Sequence, residues 1–409
     1  MNLDRALAER VRRRLAADDE PATAARVASV LRAEAGLVGD VGLLRLLREA
    51  QSEFVGAGPL EPLLRDSATT DVLVNGPDEV WVDQGAGLRR ADVRFPDDDA
   101  VRRLAQRLAA AAGRRLDDAQ PWVDASLADG TRLHAVLPPV AVDATCLSLR
   151  VLRRRSFTLE ELRAAGSLSS VAAALVQLII RARLAFLVTG GTGSGKTTML
   201  GSLLGLVDPA ERLVLVEDAA ELSPAHPHVV RLVARTSNVE GAGAVTLRDL
   251  VRQALRMRPD RLVVGEVRGA EVIELLTAMN TGHDGGCGTV HANSAAELPA
   301  RLEALGALGG LDRAALHSQL GAAAQVCLHV VRAGGRRTLG EIGVIDRVGW
   351  RVRVLPAWCS APAPPGRGAA RLRQLLAGRG ISDRDLAAAG LGPADRLSQP
   401  TTARHARSP

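Results

Sequence analysis

The chain has 409 residues, of which 47% are hydrophobic and 2% aromatic, and this composition supports two domains with aliphatic cores. Its formal net charge is +6, but eight arginines and three aspartates in residues 360–409 contribute +5, so the rest of the chain is nearly neutral. A nearly neutral body with few aromatic residues argues against nucleic acid as a direct substrate, because such binding relies on basic surfaces and on stacking.

The sequence contains neither a recognisable targeting segment nor a membrane-spanning one. The N-terminus is charged from its fourth residue and lacks the apolar region of a signal peptide. The longest apolar stretch, residues 171–188, is interrupted by Arg181 and Arg183. Four widely spaced cysteines without a C-x-x-C pair favour reduced thiols over a disulfide framework or a zinc site. We therefore expect a cytoplasmic protein that reaches a membrane peripherally, through partners.

Residues 1–53 are predicted to be a helical extension, and residues 54–152 a compact α+β domain. In the extension, Leu, Val and Ala recur at helical spacing. In the domain, short apolar runs predict strands at 71–74 and 79–83, separated by a turn at Asn75-Gly76-Pro77. The other predicted elements of this domain are a helix at 99–113 and strands at 132–137 and 146–152.

Residues 153–168 are predicted to be a linker with a helix start near Thr158, and residues 169–358 a second domain. The second domain alternates between strand and helix patterns, which is typical of a mainly parallel sheet covered on both faces. Its predicted strands are 184–189, 212–217, 261–266 and 288–291, its helices begin at 196, 247, 270 and 295, and a hairpin at 338–345 and 350–355 ends it.

Residues 359–409 have the composition of a disordered basic tail. Pro, Gly, Ala and Arg dominate the segment, and the sequence shows no apolar partner for it. Only residues 371–376 have a helical pattern, and we predict that the segment has no core of its own.

A phosphate-binding loop stands between a predicted strand and a predicted helix. Lys196 is the only lysine of the chain, and it completes the pattern G-x-x-x-x-G-K-[ST]. This position requires a compact ammonium that reaches the β and γ phosphates, and a planar guanidinium would not replace it. The predicted nucleotide-binding residues are Gly190, Gly191, Thr192, Gly193, Ser194, Gly195, Lys196, Thr197 and Thr198. In this interpretation Thr197 also supplies a hydroxyl to Mg²⁺.

Acidic residues and histidines end or follow the neighbouring strands. Glu217 and Asp218 end one apolar strand and Glu266 ends another, so their carboxylates are candidates for positioning metal and water beside a phosphate. The alternative is that each caps the next helix. His283 and His291 surround a third strand in a Gly-rich segment and are candidates for contacting the γ-phosphate; the alternative is a solvent-facing loop.

The order of these motifs resembles the secretion ATPase superfamily of type II and type IV systems. The segments that carry the resemblance are GGTGSGKTT, VEDAAEL, ALRMRPDRLVVGEVRGAE and TGHDGGCGTVHANS. The Tad/Flp pilus assembly branch is the nearest match, and GAGPLEPLLRDSATTDVLVNGPDEVWV and DGTRLHAVLPPV also resemble that branch. The similarity runs from about Phe54 to Leu355.

The resemblance implies an α/β protein in which an N-terminal α+β domain precedes a RecA-like P-loop ATPase domain, with six protomers in a ring and ATP and Mg²⁺ as cofactors. Glu217 would activate water, Glu266 and Thr197 would act at Mg²⁺, and residues 283–291, which include His291, would form the His box of the family. Arg132 and Arg150 match the N-terminal arginines that contact the γ-phosphate; the alternative is that they are surface charges.

Three features of the site depart from the pattern or leave a choice open. Gly265 replaces the usual aspartate before Glu266, and Gly286-Cys287-Gly288 replaces bulkier residues in the His box. We expect Cys287 to be a buried thiol. Arg268 would contact either the nucleotide or a neighbouring carboxylate.

The function that follows from the resemblance is that of an ATPase motor for Tad-type pilus assembly or for conjugation-like type IV secretion. Such a motor would act on a platform protein at the cytoplasmic face of the inner membrane. Two alternatives remain open in the sequence: a nucleic-acid translocase or helicase on the same core, and a nucleotide-sensing ring scaffold that is not a motor.

Overall fold

The computed structural model describes residues 5–17, 23–34, 42–44, 46, 47, 50, 54, 56–85, 87–152, 156–235, 242–280, 282, 284–333, 335–360 and 367–392. The chain divides into two compact units, Met1–Arg153 and Arg154–Pro409. Within the described residues, no helix has the length and apolar character needed to cross a bilayer.

The first unit begins with helices α1 (Arg5–Ala16) and α2 (Ala24–Glu34). Their buried side chains form a small aliphatic cluster that includes Val11, Val27 and Leu31. A single 3₁₀ turn, Gly58–Leu60, and the short helix α3 (Glu61–Arg65) follow.

A six-stranded antiparallel sheet forms the body of the first unit. Its strands are β1 (Asp71–Val74), β2 (Val80–Asp83), β3 (Leu88–Arg90), β4 (Trp122–Ser126), β5 (Arg132–Val136) and β6 (Cys146–Arg150). Their spatial order is β3-β2-β1-β6-β5-β4. Helix α4 (Asp98–Ala111) begins where the Asp97 side chain accepts a hydrogen bond from the Ala100 backbone. Its apolar stripe, including Leu104 and Leu108, packs into the core of this unit.

The second unit contains an eight-stranded sheet. Its strands are β7 (Phe186–Gly190), β8 (Leu213–Glu217), β9 (Val229–Val233), β10 (Arg261–Val267), β11 (Cys287–His291), β12 (Val326–Ala333), β13 (Arg336–Val348) and β14 (Arg351–Cys359). Their order is β14-β13-β12-β7-β11-β10-β8-β9. The six strands from β12 to β9 pair in parallel, whereas β13 and β14 add antiparallel pairs at one edge. The prediction of an α/β protein with a mainly parallel sheet in this domain is confirmed.

Helices cover both faces of this sheet over two apolar cores. The helices are α5 (Leu159–Ala164), α6 (Ser170–Arg181), α7 (Lys196–Leu204), α8 (Leu247–Ala254), α9 (Val272–Asn280), α10 (Leu298–Leu308) and α11 (Arg313–Ala323). Helix α5 begins at a capping box of Thr158 and Glu161, and Leu159 and Leu162 enter the core. Most of the predicted linker 153–168 is therefore a folded part of the second unit.

The prediction of a disordered tail over residues 359–409 is wrong for residues 367–392. This part forms α12 (Arg367–Gly378) and α13 (Asp383–Ala388). Leu372, Leu376 and Leu386 are fully buried in one of the two cores of the eight-stranded sheet. The sequence shows a short helix without a core, because the core that it joins is assembled in three dimensions from residues between Leu159 and Ala357. Residues 361–366 and 393–409 lie outside the described part.

Candidate nucleotide-binding site

The phosphate loop follows β7, and its glycines are required by its shape. Gly190, Gly193 and Gly195 have φ angles of 153°, 67° and 96°, which disfavour a residue with a side chain. A Cβ at Gly190 would also collide with the backbone oxygen of Val330 on β12. Gly195 is the N-cap of α7, so the loop leads directly into a helix N-terminus that favours anions.

The Lys196 ammonium folds back onto the loop. Its Nζ donates hydrogen bonds to the backbone oxygens of Gly190 at 3.0 Å and Gly191 at 2.9 Å. Burial lowers the pKa of Lys196, and Arg268 lowers it further, while Glu266 and Glu221 act in the opposite direction. A buried ammonium whose bonds are to neutral carbonyls gains strongly from an incoming anionic phosphate.

Glu217 is a buried carboxylate at the carboxyl end of β8. Its side chain is 3% exposed, and Oε1 accepts hydrogen bonds from the backbone N–H groups of Glu221 at 3.1 Å and Leu222 at 2.8 Å. The other oxygen, Oε2, is buried and has no partner in the described structure. Burial raises the pKa of Glu217 from 4.5 to about 7, although the two backbone hydrogen bonds oppose this. A carboxylate with this pKa can accept a proton near neutral pH.

Gly265 on β10 makes room for Glu217. A Cβ at Gly265 would lie 2.7 Å from Cγ and 3.2 Å from Oε1 of Glu217. Packing thus explains why position 265 is a glycine and not the usual aspartate, since any side chain there would displace the buried Glu217 carboxylate.

Glu266 and Thr197 are placed at the same end of the sheet, each with a polar partner. The Glu266 carboxylate pairs with the Arg268 guanidinium, and this hydrogen bond raises the pKa of Arg268. Of the two alternatives for Arg268, the structure shows the neighbouring carboxylate. The Thr197 hydroxyl donates to Oε2 of Glu221 at 3.4 Å.

These residues fit a magnesium ion that is shared with a nucleotide. The described residues contain no group of three or more His, Cys, Asp or Glu side chains that could hold a metal by themselves. Mg²⁺ in nucleotide sites uses one or two protein oxygens together with phosphates and water, and Thr197 and Glu266 supply such oxygens. The unpartnered Oε2 of Glu217 leaves a further buried acceptor for a water molecule.

The His box is only partly brought to the phosphate loop. His291 ends β11 and is in register with Gly190, so it lies beside the start of the loop. Asp284 precedes the amino end of β11, at the opposite sheet edge, where it accepts two hydrogen bonds from Arg379 of the C-terminal segment. His283 lies outside the described residues. Cys287 is fully buried, and burial raises the pKa of its thiol to about 12, as expected for an inert thiol.

The two candidate arginines of the N-terminal domain face each other within the first unit. Arg132 on β5 and Arg150 on β6 are register partners, and Arg150 Nε donates to Asp71 Oδ1 at 2.9 Å. Their contact with a nucleotide stays a prediction.

Two residues close to the loop were missed in the sequence. His329 on β12 is 7% exposed and its Nδ1 lies 2.9 Å from the Thr189 hydroxyl, immediately before the loop. Arg337 on β13 donates from Nε to the Gly193 backbone oxygen at 3.0 Å. β12 was not predicted, and Arg337 is one of 51 arginines, so neither residue gave a signal by type or position.

Comparisons with known proteins agree with this architecture. The sequence profile of the family described as "Type II/IV secretion system protein" matches residues 53–334. A "Putative conjugal transfer protein" of Mycobacterium tuberculosis is 63% identical over 350 residues, covering 84% of this chain and 99% of its own length. The "Conjugal transfer protein TrbB" of Rhizobium radiobacter is 29% identical, covering 73% of this chain and 90% of its own.

The fold comparison extends to a solved pilus motor. The crystal structure of the pilus retraction motor PilT with bound ADP superposes with a TM-score of 0.51 at 20% identity, covering 71% of this chain and 83% of that one. At this identity the likeness concerns the fold alone. Together with the matched profile, the fold and the motif order show that the chain belongs to the type II/IV secretion system protein family of ATPases.

Proposed function

We propose that the protein is an ATP-hydrolysing motor of a Tad-type pilus or of a conjugation-like type IV secretion apparatus. The observation that carries the proposal is that one sheet presents both a phosphate loop, after β7, and the buried Glu217 carboxylate, at the end of β8. In that carboxylate Oε1 accepts two hydrogen bonds and Oε2 has no partner in the described structure. The conjugal transfer relatives support the secretion or transfer role, and the motif strings resembling the Tad/Flp branch support the pilus role.

In this proposal the ATP phosphates bind to the backbone N–H groups of residues 191–197 at the start of α7. Lys196 would exchange its two carbonyl partners for the β and γ phosphate oxygens. Thr197 and Glu266 would hold Mg²⁺, which when bound neutralises phosphate charge. His291 would contact the γ-phosphate from the adjacent strand.

Glu217 is the proposed proton acceptor for the attacking water. Its Oε1 is held by two backbone N–H groups, which fixes the orientation of the carboxylate. Its Oε2 is free to accept a hydrogen bond from water. A pKa of about 7 lets the same carboxylate take a proton and release it again during turnover.

The proposed assembly is a ring of six copies that works at the cytoplasmic face of the inner membrane. Arg132 and Arg150 of the first unit would reach the γ-phosphate and so couple nucleotide state to domain closure. The proposed partner is a membrane platform protein, through which the motor would attach peripherally to the membrane.

The test is phosphate release by the purified chain with Mg²⁺ and ATP. Glu217→Gln should retain nucleotide binding and reduce kcat by about 10²- to 10⁴-fold. Glu274→Gln is a matched control, because Glu274 is also buried with one unpartnered oxygen, but it pairs with Arg248 and Arg252. Its kcat should stay near that of the parent.

The same assay separates the alternatives. Unchanged turnover in Glu217→Gln would refute the motor mechanism and favour a nucleotide-sensing scaffold. Strong stimulation by single-stranded DNA, with a steep salt dependence, would favour a nucleic-acid translocase instead. A Lys196→Ala variant that hydrolyses ATP at the parent rate would refute the site itself.

A further inference from the structure

The second unit contains a cleft at the edge of its sheet that is opposite the phosphate loop. The cleft has a volume of about 730 Å³, which is in the range of small-molecule sites. Its lining includes Glu211, just before β8, and Arg261, the first residue of β10, so it lies at the amino ends of these parallel strands. The phosphate loop follows the carboxyl end of β7, which runs parallel to them in the same sheet.

One wall of the cleft is apolar. Ala174 and Leu178 of α6 line it together with Leu206, which follows α7. Ala388 of α13 and the next residue, Ala389, complete this wall. Because α13 belongs to the C-terminal segment, the folding of that segment onto the core is what encloses the cleft.

Two arginines meet at the charged end of the cleft. Arg261 is 1% exposed, and it donates from Nε to Glu211 Oε2 at 2.7 Å and from Nη2 to Oε1 at 3.1 Å. Arg183 Nη2 lies 3.1 Å from the same Oε2. Two guanidinium groups therefore share a single carboxylate, which leaves one positive charge without a counter-ion between them.

Each of these arginines also keeps one buried N–H group without an acceptor. Among the described residues, neither Arg183 Nε nor Arg261 Nη1 has a hydrogen-bond partner. A Cβ at Gly285 would lie 2.7 Å from Nη1, so the glycine keeps this side of the guanidinium clear of a side chain. Because a buried donor without a partner costs free energy, the two N–H groups favour an acceptor in the cleft.

The other charged groups nearby do not supply that acceptor. Arg181 pairs with Asp385 across the cleft, and Asp284 accepts two hydrogen bonds from Arg379. Asp208 lines the cleft but is exposed to solvent. A water molecule would satisfy a donor but would leave the positive charge unbalanced, whereas an anion would do both.

We propose that this cleft is a binding site for a small organic monoanion, whose carboxylate is held by Arg183 and Arg261 and whose short apolar chain lies along α6 and α13. Guanidinium groups match the planar geometry of a carboxylate, and hydrogen bonds between charged partners are the stronger ones. The site is separate from the phosphate loop, so the proposal does not depend on the proposed ATPase function.

The experiment is calorimetric titration of the full chain with three probes: hexanoate, hexanamide and acetate. Hexanoate should bind with a Kd of about 1 mM or lower. Hexanamide has nearly the same shape without the charge, and acetate has the charge without the apolar chain, so each should bind at least about tenfold more weakly. Lys196→Ala should bind hexanoate like the parent, because the phosphate loop is not involved.

Matched variants locate the site. Ala388→Leu should weaken hexanoate binding at least about tenfold by filling the cleft, whereas Ala387→Leu, an exposed neighbour outside the cleft lining, should change it by less than about twofold. Arg183→Gln should weaken it at least about tenfold. Arg313→Gln is the control for loss of one paired arginine, since Arg313 lies 2.9 Å from Glu303 and does not line the cleft.

Three outcomes would overturn the proposal. No heat of binding with hexanoate up to about 50 mM would mean that water alone occupies the charged end. Equal affinity for hexanamide would mean that the two arginines do not recognise charge. Unchanged binding in both Ala388→Leu and Arg183→Gln, with unfolding temperatures near that of the parent, would place the anion elsewhere on the chain.

Discussion

The substitution Glu217→Gln should stabilise the protein at alkaline pH while it lowers kcat. The pKa of Glu217 rises from 4.5 to about 7 on folding because the carboxyl is buried. Since the folded state binds the proton more tightly, its stability is greatest below pH 4.5 and falls as the pH rises through 7. One pH unit corresponds to about 1.4 kcal/mol, so ionisation of Glu217 costs the fold about 3 kcal/mol at pH 8 and above.

Glutamine has nearly the same shape, can accept the two backbone hydrogen bonds at Oε1, and carries no charge. The variant should therefore avoid the free-energy cost of ionising a buried carboxyl at high pH and keep the hydrogen bonds from Glu221 and Leu222. Urea unfolding at a series of pH values from 5 to 8.5 measures the effect. The difference in unfolding free energy between variant and parent should grow with pH, towards about 3 kcal/mol in favour of the variant.

Two results would refute this reasoning. Parallel stability curves for parent and Glu217→Gln across pH 5 to 8.5 would mean that folding does not raise the pKa of the Glu217 carboxyl. A variant that is less stable than the parent at pH 8 would mean that the charged form is the one the site prefers. Glu274→Gln, measured beside it, controls for the loss of any buried carboxylate.

Three further predictions concern packing around the site and the C-terminal segment. Gly265→Asp should lower both kcat and the unfolding temperature, because its Cβ would lie 2.7 Å from Cγ of Glu217; a fully active variant would contradict the packing argument. Arg337→Ala should weaken ADP binding by several-fold through loss of the bond to the Gly193 oxygen, as measured by fluorescence titration; unchanged affinity would show that the bond is dispensable. Leu372→Ala should cost about 2–5 kcal/mol in urea unfolding, whereas a tail without a core would show no change.

The parts of the site that are contiguous in sequence could be predicted without a structure. The phosphate loop combines residue types and spacing that its chemistry requires, and the strand before it is a continuous buried apolar run. The same holds for Glu217, which directly ends an apolar strand. In each case a local pattern and a tertiary role coincide.

The parts that depend on distant partners could not be predicted. Strand β12 supplies His329, but a histidine in an apolar run indicates neither a strand end nor a hydrogen-bond partner 140 residues away. Residues 367–392 look like an isolated helical segment until Leu372 and Leu376 meet the core of the second unit. The sequence likewise gives no reason for a glycine at position 265, because the carboxylate that occupies the adjacent space, that of Glu217, belongs to another strand.

The second unit gathers the site at the carboxyl ends of four parallel strands, β7, β8, β10 and β11, and one feature explains why Glu217 is buried so deeply. β10 contributes no side chain at Gly265, and its backbone oxygen there accepts a hydrogen bond of 2.7 Å from Thr289 on β11. The missing side chain at Gly265 leaves the space in which the Glu217 carboxylate is buried away from water. That burial is the cause of the pKa near 7, and an exposed glutamate with a pKa of 4.5 would be a weaker base. The stability cost of ionising Glu217 and the basicity of its carboxylate therefore have the same origin, which is burial. For this reason Glu217→Gln should remove the stability cost and the catalytic base together.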